Sequence, residues 1–159
     1  MINADEQLLV SDLKSDNWYT IEQVSARTGL TKRTLRYYEE LGLLPPTGRT
    51  EGNYRRYNVE DIERLERIKK LRDLLGFSLA DIRKLLDAED ERGQIKVAYQ
   101  HETETAAKIA QLDRADELIR SQLHLIERKT EGLEQMRKGL LSKLEQHKHS
   151  REALLHKNT

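Results

Sequence analysis

Residues 20 to 41, TIEQVSARTGLTKRTLRYYEEL, constrain the fold of this chain more than any other stretch. They read as two short helices joined by a tight turn. Ile21 and Val24 are apolar positions of the first helix, and Ser25 is small where a second helix would approach. Gly29, four residues after Ser25, lets the backbone turn without a Cβ clash. Thr31 is placed to cap the next helix, its hydroxyl accepting an orphan backbone N–H. Leu35 then returns an apolar side chain six residues beyond Gly29, among Lys32, Arg33, Arg36, Tyr37 and Tyr38. A small residue, a glycine and an apolar residue at these intervals form the helix-turn-helix spacing. The second helix has the size and charge to enter a major groove. Lys32, Arg33 and Arg36 are the candidates for base edges and adjacent phosphates, with Thr31 at the helix start.

The same pattern also fits an amphipathic helix pair packed in some other core, its basic residues simply solvated. The next sixteen residues favour DNA. Pro45 and Pro46 end the helix, and Arg49-Thr-Glu-Gly-Asn-Tyr-Arg-Arg-Tyr57 comes after them. Gly52-Asn53 supplies the left-handed conformations of a tight hairpin, flanked by Arg49, Arg55 and Arg56. A basic hairpin directly after a recognition helix is a wing, placed to grip phosphates beside the groove. Tyr37, Arg49, Tyr54, Arg55 and Arg56 are therefore the candidates for backbone contacts.

Beyond the wing, Asn58 is a good N-cap for a third helix. Val59, Ile62, Leu65, Ile68, Lys69, Leu71, Leu74 and Leu75 trace its helical stripe. Gly76 ends it and Ser78 caps a fourth, whose apolar face is Leu79, Ile82, Leu85 and Leu86. Three runs now stand in order: Thr34 to Pro45, Asn53 to Tyr57, and Leu75 to Leu86. Together they resemble the MerR family of bacterial transcription regulators from about Tyr19 to Leu86, and only weakly beyond residue 87. The resemblance implies that the third and fourth helices act as a second wing. It implies a mostly α fold, a winged helix-turn-helix domain followed by a long coiled-coil dimerisation helix. The expected division is an N-terminal extension at 1–17, the DNA-binding domain at 18–88, the dimerisation helix at 89–150 and a tail at 151–159. The extension reads either as a short docked helix or as a disordered tail.

The 159-residue chain carries as much charge (35%) as apolar content (36%), which suits a long exposed helix better than one compact globule. Its formal net charge of zero hides a local asymmetry. From Arg27 to Tyr57 seven basic residues stand against Glu39, Glu40 and Glu51, and a local basic surface is what steers a protein to DNA. The lack of cysteine excludes disulfides, thiolate metal sites and the cysteine-based sensing that the resemblance would otherwise imply. No apolar run approaches a membrane span and no signal-peptide pattern appears, so a cytoplasmic protein is expected.

Past residue 95 the pattern is one long helix without proline, after a polar connection at 87–95. Leu112, Ile119, Ile126, Leu133 and Leu140 recur every seven residues, and Met136 broadens the stripe. A lone helix of this kind is marginal in water, so the stripe needs a partner. The simplest is a second copy; the resemblance implies an antiparallel helix pair, which the heptads alone do not orient. Gly132 and Gly139 interrupt the helix or, as favoured here, permit close approach within a continuous one. Residues 90 to 120 exceed the span that the resemblance implies, giving either a longer coiled coil or an extra helix folding back.

No nucleophile–base constellation or glycine-rich phosphate loop appears, so no enzyme and no cofactor is expected. His147, His149 and His156 sit in a Lys- and Ser-containing stretch without cysteine, so no metal site is expected either. The expected function is a transcription regulator that binds a near-palindromic operator in double-stranded DNA as a homodimer. The resemblance adds distortion of a promoter with a long spacer, acting indirectly on RNA polymerase. An effector, if one exists, is organic and lodges between the long helix and the DNA-binding domain. Two alternatives stay open: an architectural or recombination-directionality factor without effector, and a coiled-coil interaction adaptor.

Overall fold

The computed structural model describes residues 18–45, 48 and 54–159. The expectations for residues 1–17, for Arg49 and for the Gly52-Asn53 turn lie outside the described residues. The chain divides into two compact units, one ending at Leu86 and the other beginning at Asp87, and each is described by itself.

In the first unit a short strand, β1 (Tyr19–Thr20), leads into α1 (Ile21–Thr28) and α2 (Lys32–Glu40); β2 (Arg56–Tyr57) precedes α3 (Val59–Lys69). The helix ends form where the side chains dictate. Thr20 and Gln23 satisfy each other's backbone N–H at 3.2 and 2.8 Å, a reciprocal cap on α1. Gly29 closes that helix at φ +74°, where a Cβ would be strained. Ser25 adds more than its small size, because its hydroxyl donates to the Leu30 carbonyl at 2.6 Å and ties the turn. Thr31 caps α2 by accepting the Thr34 N–H at 3.1 Å, and Asn58 and Asp61 form a reciprocal cap on α3. Val24, Leu35, Tyr38, Tyr57, Leu65 and Ile68 are all but fully buried between these elements. Burying each such side chain contributes roughly 1.5–3 kcal/mol.

The expected stripe of α3 holds as far as Leu71, which is buried. Leu74 and Leu75 were expected on the same face, yet they are 72% and 47% exposed. The cause is a π turn at Lys70–Leu74, where the Leu75 N–H reaches back to the Lys70 carbonyl at 3.2 Å. A wider turn rotates every later residue off the 3.6-residue stripe. Gly76 then ends the helix at φ +70°, and the Ser78 hydroxyl accepts the Asp81 N–H at 3.1 Å to start α4.

Helix α4 (Leu79–His101) continues through residues 87–95, correcting the polar connection expected there. The stretch lacks proline, and Ala88, Glu89, Glu91, Arg92 and Gln94 are good helix formers; the single Gly93 costs only about 1 kcal/mol. In the second unit the carboxylate of Glu102 accepts the backbone N–H groups of Thr103 and Glu104, both at 2.9 Å, and turns the chain. Then α5 (Thr105–Lys157) runs for 53 residues. Its first turns pack back on the end of α4. Arg114 pairs with Glu91 at 2.8 Å, Arg92 donates to Gln122 at 3.0 Å, and Leu118, Gln122 and Leu125 are buried. The extra span of 90–120 is thus a helical hairpin rather than a longer coiled coil. Helix α5 is continuous through Gly132 and Gly139, both in open space. It also runs through residues 151–157, where a tail was expected.

Candidate nucleic-acid interface

The cap on Thr31 fixes the start of α2, and burial of Leu35 and Tyr38 fixes its rotation. The side chains left facing outward are Arg33, Thr34, Arg36, Tyr37 and Glu40, which line one open depression. Tyr37 is 48% exposed. Among the described residues, Arg33 and Arg36 hold no ion pair, so both cations are available to an anionic partner. Thr34 and Glu40 were not singled out from the sequence; their helical spacing to Arg36 and Tyr37 was the signal.

The other candidate cations are differently occupied. Lys32 meets Glu22 of α1 at 2.9 Å, and that contact pulls the Glu22 carboxyl below its ordinary range. Arg55 donates to Glu39 at 2.7 Å, and the Tyr57 hydroxyl donates to the same carboxylate at 3.0 Å. Glu39 therefore ties the last turn of α2 to the strand that leaves the wing. Sequence reading took Glu39 only as charge balance, because its partners lie 16 and 18 residues away. Burial first, then the Glu39 charge, raises the Tyr57 phenol well above its usual value.

The base of the wing is held by the backbone. The Arg56 N–H donates to the Gly48 carbonyl at 3.0 Å, and β1 pairs antiparallel with β2, Tyr19 against Tyr57 and Thr20 against Arg56. The Arg56 guanidinium stacks on the Trp18 ring at 4.2 Å, a cation–π contact. A Cβ at Gly48 would stand 2.7 Å from Arg56 Nε, so any larger residue there must push the Arg56 side chain aside. Tyr54, next to the wing, is 75% exposed.

Below the interface, the Arg72 guanidinium donates to the Tyr38 hydroxyl, and Arg64 donates to the Leu43 carbonyl at 2.5 Å. Lys69 donates to the Thr28 carbonyl. Lys69 thus satisfies the C-terminal end of α1, and Arg64 a carbonyl just beyond α2. Asp61 is buried in the first turn of α3, and burial raises its carboxyl pKa despite the Asn58 N–H that it accepts.

A capped cationic helix projecting from a three-helix core, beside a hydrogen-bonded strand pair, defines a winged helix-turn-helix DNA-binding protein. The profile of the MerR HTH family regulatory proteins matches residues 19–89. The HTH-type transcriptional regulator YfmP of Bacillus subtilis is 34% identical over 123 residues, covering 77% of this chain and 88% of that protein. A heavy metal-dependent transcription regulator of Rhizobium meliloti is 36% identical over 110 residues, covering 66% and 72%. A MerR-family crystal structure from Listeria monocytogenes superposes with a TM-score of 0.51 at 24% identity, covering 79% of this chain and 83% of that one; this likeness concerns the fold alone. The chain belongs to the MerR family, and it is a DNA-binding transcriptional regulator rather than an enzyme.

Proposed function

We propose that the protein binds a near-palindromic operator as a homodimer and distorts promoter DNA whose spacer is too long, so that its effect on RNA polymerase is indirect. The open face of α2, with Arg33 and Arg36 unpaired among the described residues, carries this reading. In it Arg36 and Arg33 meet base edges, Thr31 and Tyr37 meet backbone, and the wing residues Arg49, Tyr54 and Arg56 meet phosphates. Lys32 and Arg55 contribute through charge already shared with Glu22 and Glu39. The dimer interface is the α5 stripe of Leu112, Ile119, Ile126, Leu133, Met136 and Leu140, all of which face solvent in the single chain.

In functional terms the division is a DNA-binding domain at 18–88, preceded by an extension at 1–17, and a dimerisation segment at 89–150 that α5 prolongs past residue 150. Among the described residues no helix is long and apolar enough to cross a membrane, in keeping with action on DNA in the cytoplasm. An effector, where one acts, is organic, because the chain offers no thiolate. Neither the site nor the relatives favour an architectural factor or a coiled-coil adaptor. Footprinting the purified protein on DNA around its own coding region tests the proposal. A protected, symmetric site within a promoter spacer supports it; binding without site preference at every salt concentration refutes it.

A further inference from the structure

Two rows of residues alternate along the exposed face of α5, and only one of them is the heptad row read from the sequence. That row steps from Leu112 to Leu154 and is apolar everywhere except His147. The other steps from Ile109 to Arg151 and holds three charged residues, Asp116, Arg137 and Arg151. The apolar members stay exposed in the single chain at both ends: Ile109 by 54%, Leu144 by 65% and Leu154 by 64%. Together the rows make a two-row coiled-coil seam that no other described residue of the chain covers.

The charges choose the orientation. Parallel pairing in register sets each residue against its own copy: Asp116 on Asp116, Arg137 on Arg137, Arg151 on Arg151. Three layers of like charge at a helix seam are strongly unfavourable. Antiparallel pairing sets one row against the other, and only the register then remains open. One heptad register places Asp116 of one copy opposite His147 of the other. The same register places Ile109 opposite Leu154, Ile119 opposite Leu144 and Leu123 opposite Leu140. Arg137 and Arg151 then lie over Ile126 and Leu112, where their stems cover the apolar residue and their heads reach water. Arg137 already pairs with Glu134 at 3.2 Å, which offsets the approach of Glu127 and Glu134 beside the dyad. A shift by one heptad in either direction buries Asp116 against Leu140 or Leu154, with no partner. A polar residue in a seam commonly sets register in this way.

The hairpin supplies an independent observation. Between the end of α4 and the start of α5 lies a groove of about 510 Å³ with Ile95, Tyr99, Leu112, Ala115 and Ile119 in its lining. In the register chosen by Asp116 and His147, residues 144–151 of the other copy run along this groove.

Taking the antiparallel pairing that the family resemblance implies, we propose that the two α5 helices meet in this single register. Asp116 of each copy faces His147 of the other, and the C-terminal turns of each cover the hairpin groove of its partner. The proposal rests on the homodimer reading above and adds the register and the charged layer that fixes it.

The chain has no cysteine, so single cysteines at Arg128, Gln135, Ser142 and His149 of the full-length protein take spin labels without background. With about 1.5 Å of rise per residue and a dyad between Glu131 and Gly132, labels at 128 and 135 should give equal, short distances. Labels at 142 and 149 should lengthen by roughly 15–20 Å at each step. A flat profile overturns the antiparallel arrangement, and a shortest distance elsewhere overturns the register. Absence of dipolar coupling, with monomers in sedimentation, refutes the homodimer reading itself. In a second arm, Asp116→Lys should weaken dimerisation about tenfold or more, and adding His147→Glu should restore it. If the second substitution deepens the loss, the Asp116–His147 layer is wrong.

Discussion

Replacing Glu39 offers the sharpest test of how the wing is held. Its carboxylate accepts from Arg55 Nε at 2.7 Å and from the Tyr57 hydroxyl at 3.0 Å, with only 14% of its side chain exposed. Hydrogen bonds to a charged group contribute roughly 1.5–3 kcal/mol each. Glu39→Ala also leaves the hydroxyl of a fully buried Tyr57 and a partly buried guanidinium without this acceptor. Arg55 can turn toward water, since 28% of its side chain is exposed, so the sum is discounted to about 3 kcal/mol. For a unit of this size each kcal/mol moves the melting midpoint by about 4–8 °C, so Glu39→Ala should melt at least 10 °C lower. Glu39→Gln keeps an acceptor for Tyr57 and should lose about half as much. Calorimetry of Glu39→Gln, Arg55→Met and the double variant gives the coupling, expected at about 1–2 kcal/mol. Additive losses would show that the bridge contributes nothing. Tighter DNA binding by Glu39→Gln would refute the structural role of Arg55, by showing that the carboxylate withholds it from phosphate.

Three further outcomes are expected from the same geometry. Arg36→Ala should lose about 1–3 kcal/mol more on operator than on scrambled duplex, whereas Arg56→Ala should weaken both in parallel and reduce the salt slope by about 0.9 for each phosphate no longer neutralised; titrations at several salt concentrations decide, and parallel losses for Arg36→Ala would shift sequence reading to Arg33. Changing Ile126 and Leu133 together to Asp should give monomers in sedimentation and abolish tight operator binding; a dimeric double variant would exclude the stripe as the interface. Burial raises the Asp61 carboxyl pKa in the folded chain, so its ionisation costs stability as pH climbs from the unfolded pKa through the raised folded one. Asp61→Asn keeps an oxygen for the Asn58 N–H and removes that cost. Its denaturation midpoint relative to the parent should rise across the weakly acidic range and then level off; a flat difference would sink the reasoning.

Much of the DNA-binding unit was legible because its signals are local. A cap such as Thr31 on Thr34, or the turn at Gly29, depends on atoms within a few residues, so residue type and spacing suffice. Burial of Leu35 followed from its apolar type and spacing, whereas Tyr38, read together with the basic residues of α2, is buried as well. Long-range competition was not legible. Whether Arg55 meets a phosphate or Glu39, and whether Lys32 meets a base or Glu22, depends on which partner the fold brings nearest, and spacing carries no such information. The π turn at Lys70–Leu74 escaped for a related reason, since periodicity assumes one pitch throughout and a single wide turn alters every position beyond it. The hairpin of α4 and α5 was open to two readings. A polar, helix-forming stretch looks the same alone or packed, and only the bonds from Arg92 to Gln122 and from Arg114 to Glu91 choose between them. Local chemistry therefore settled where helices begin, end and turn their faces, while the partner each charge takes was left to tertiary packing.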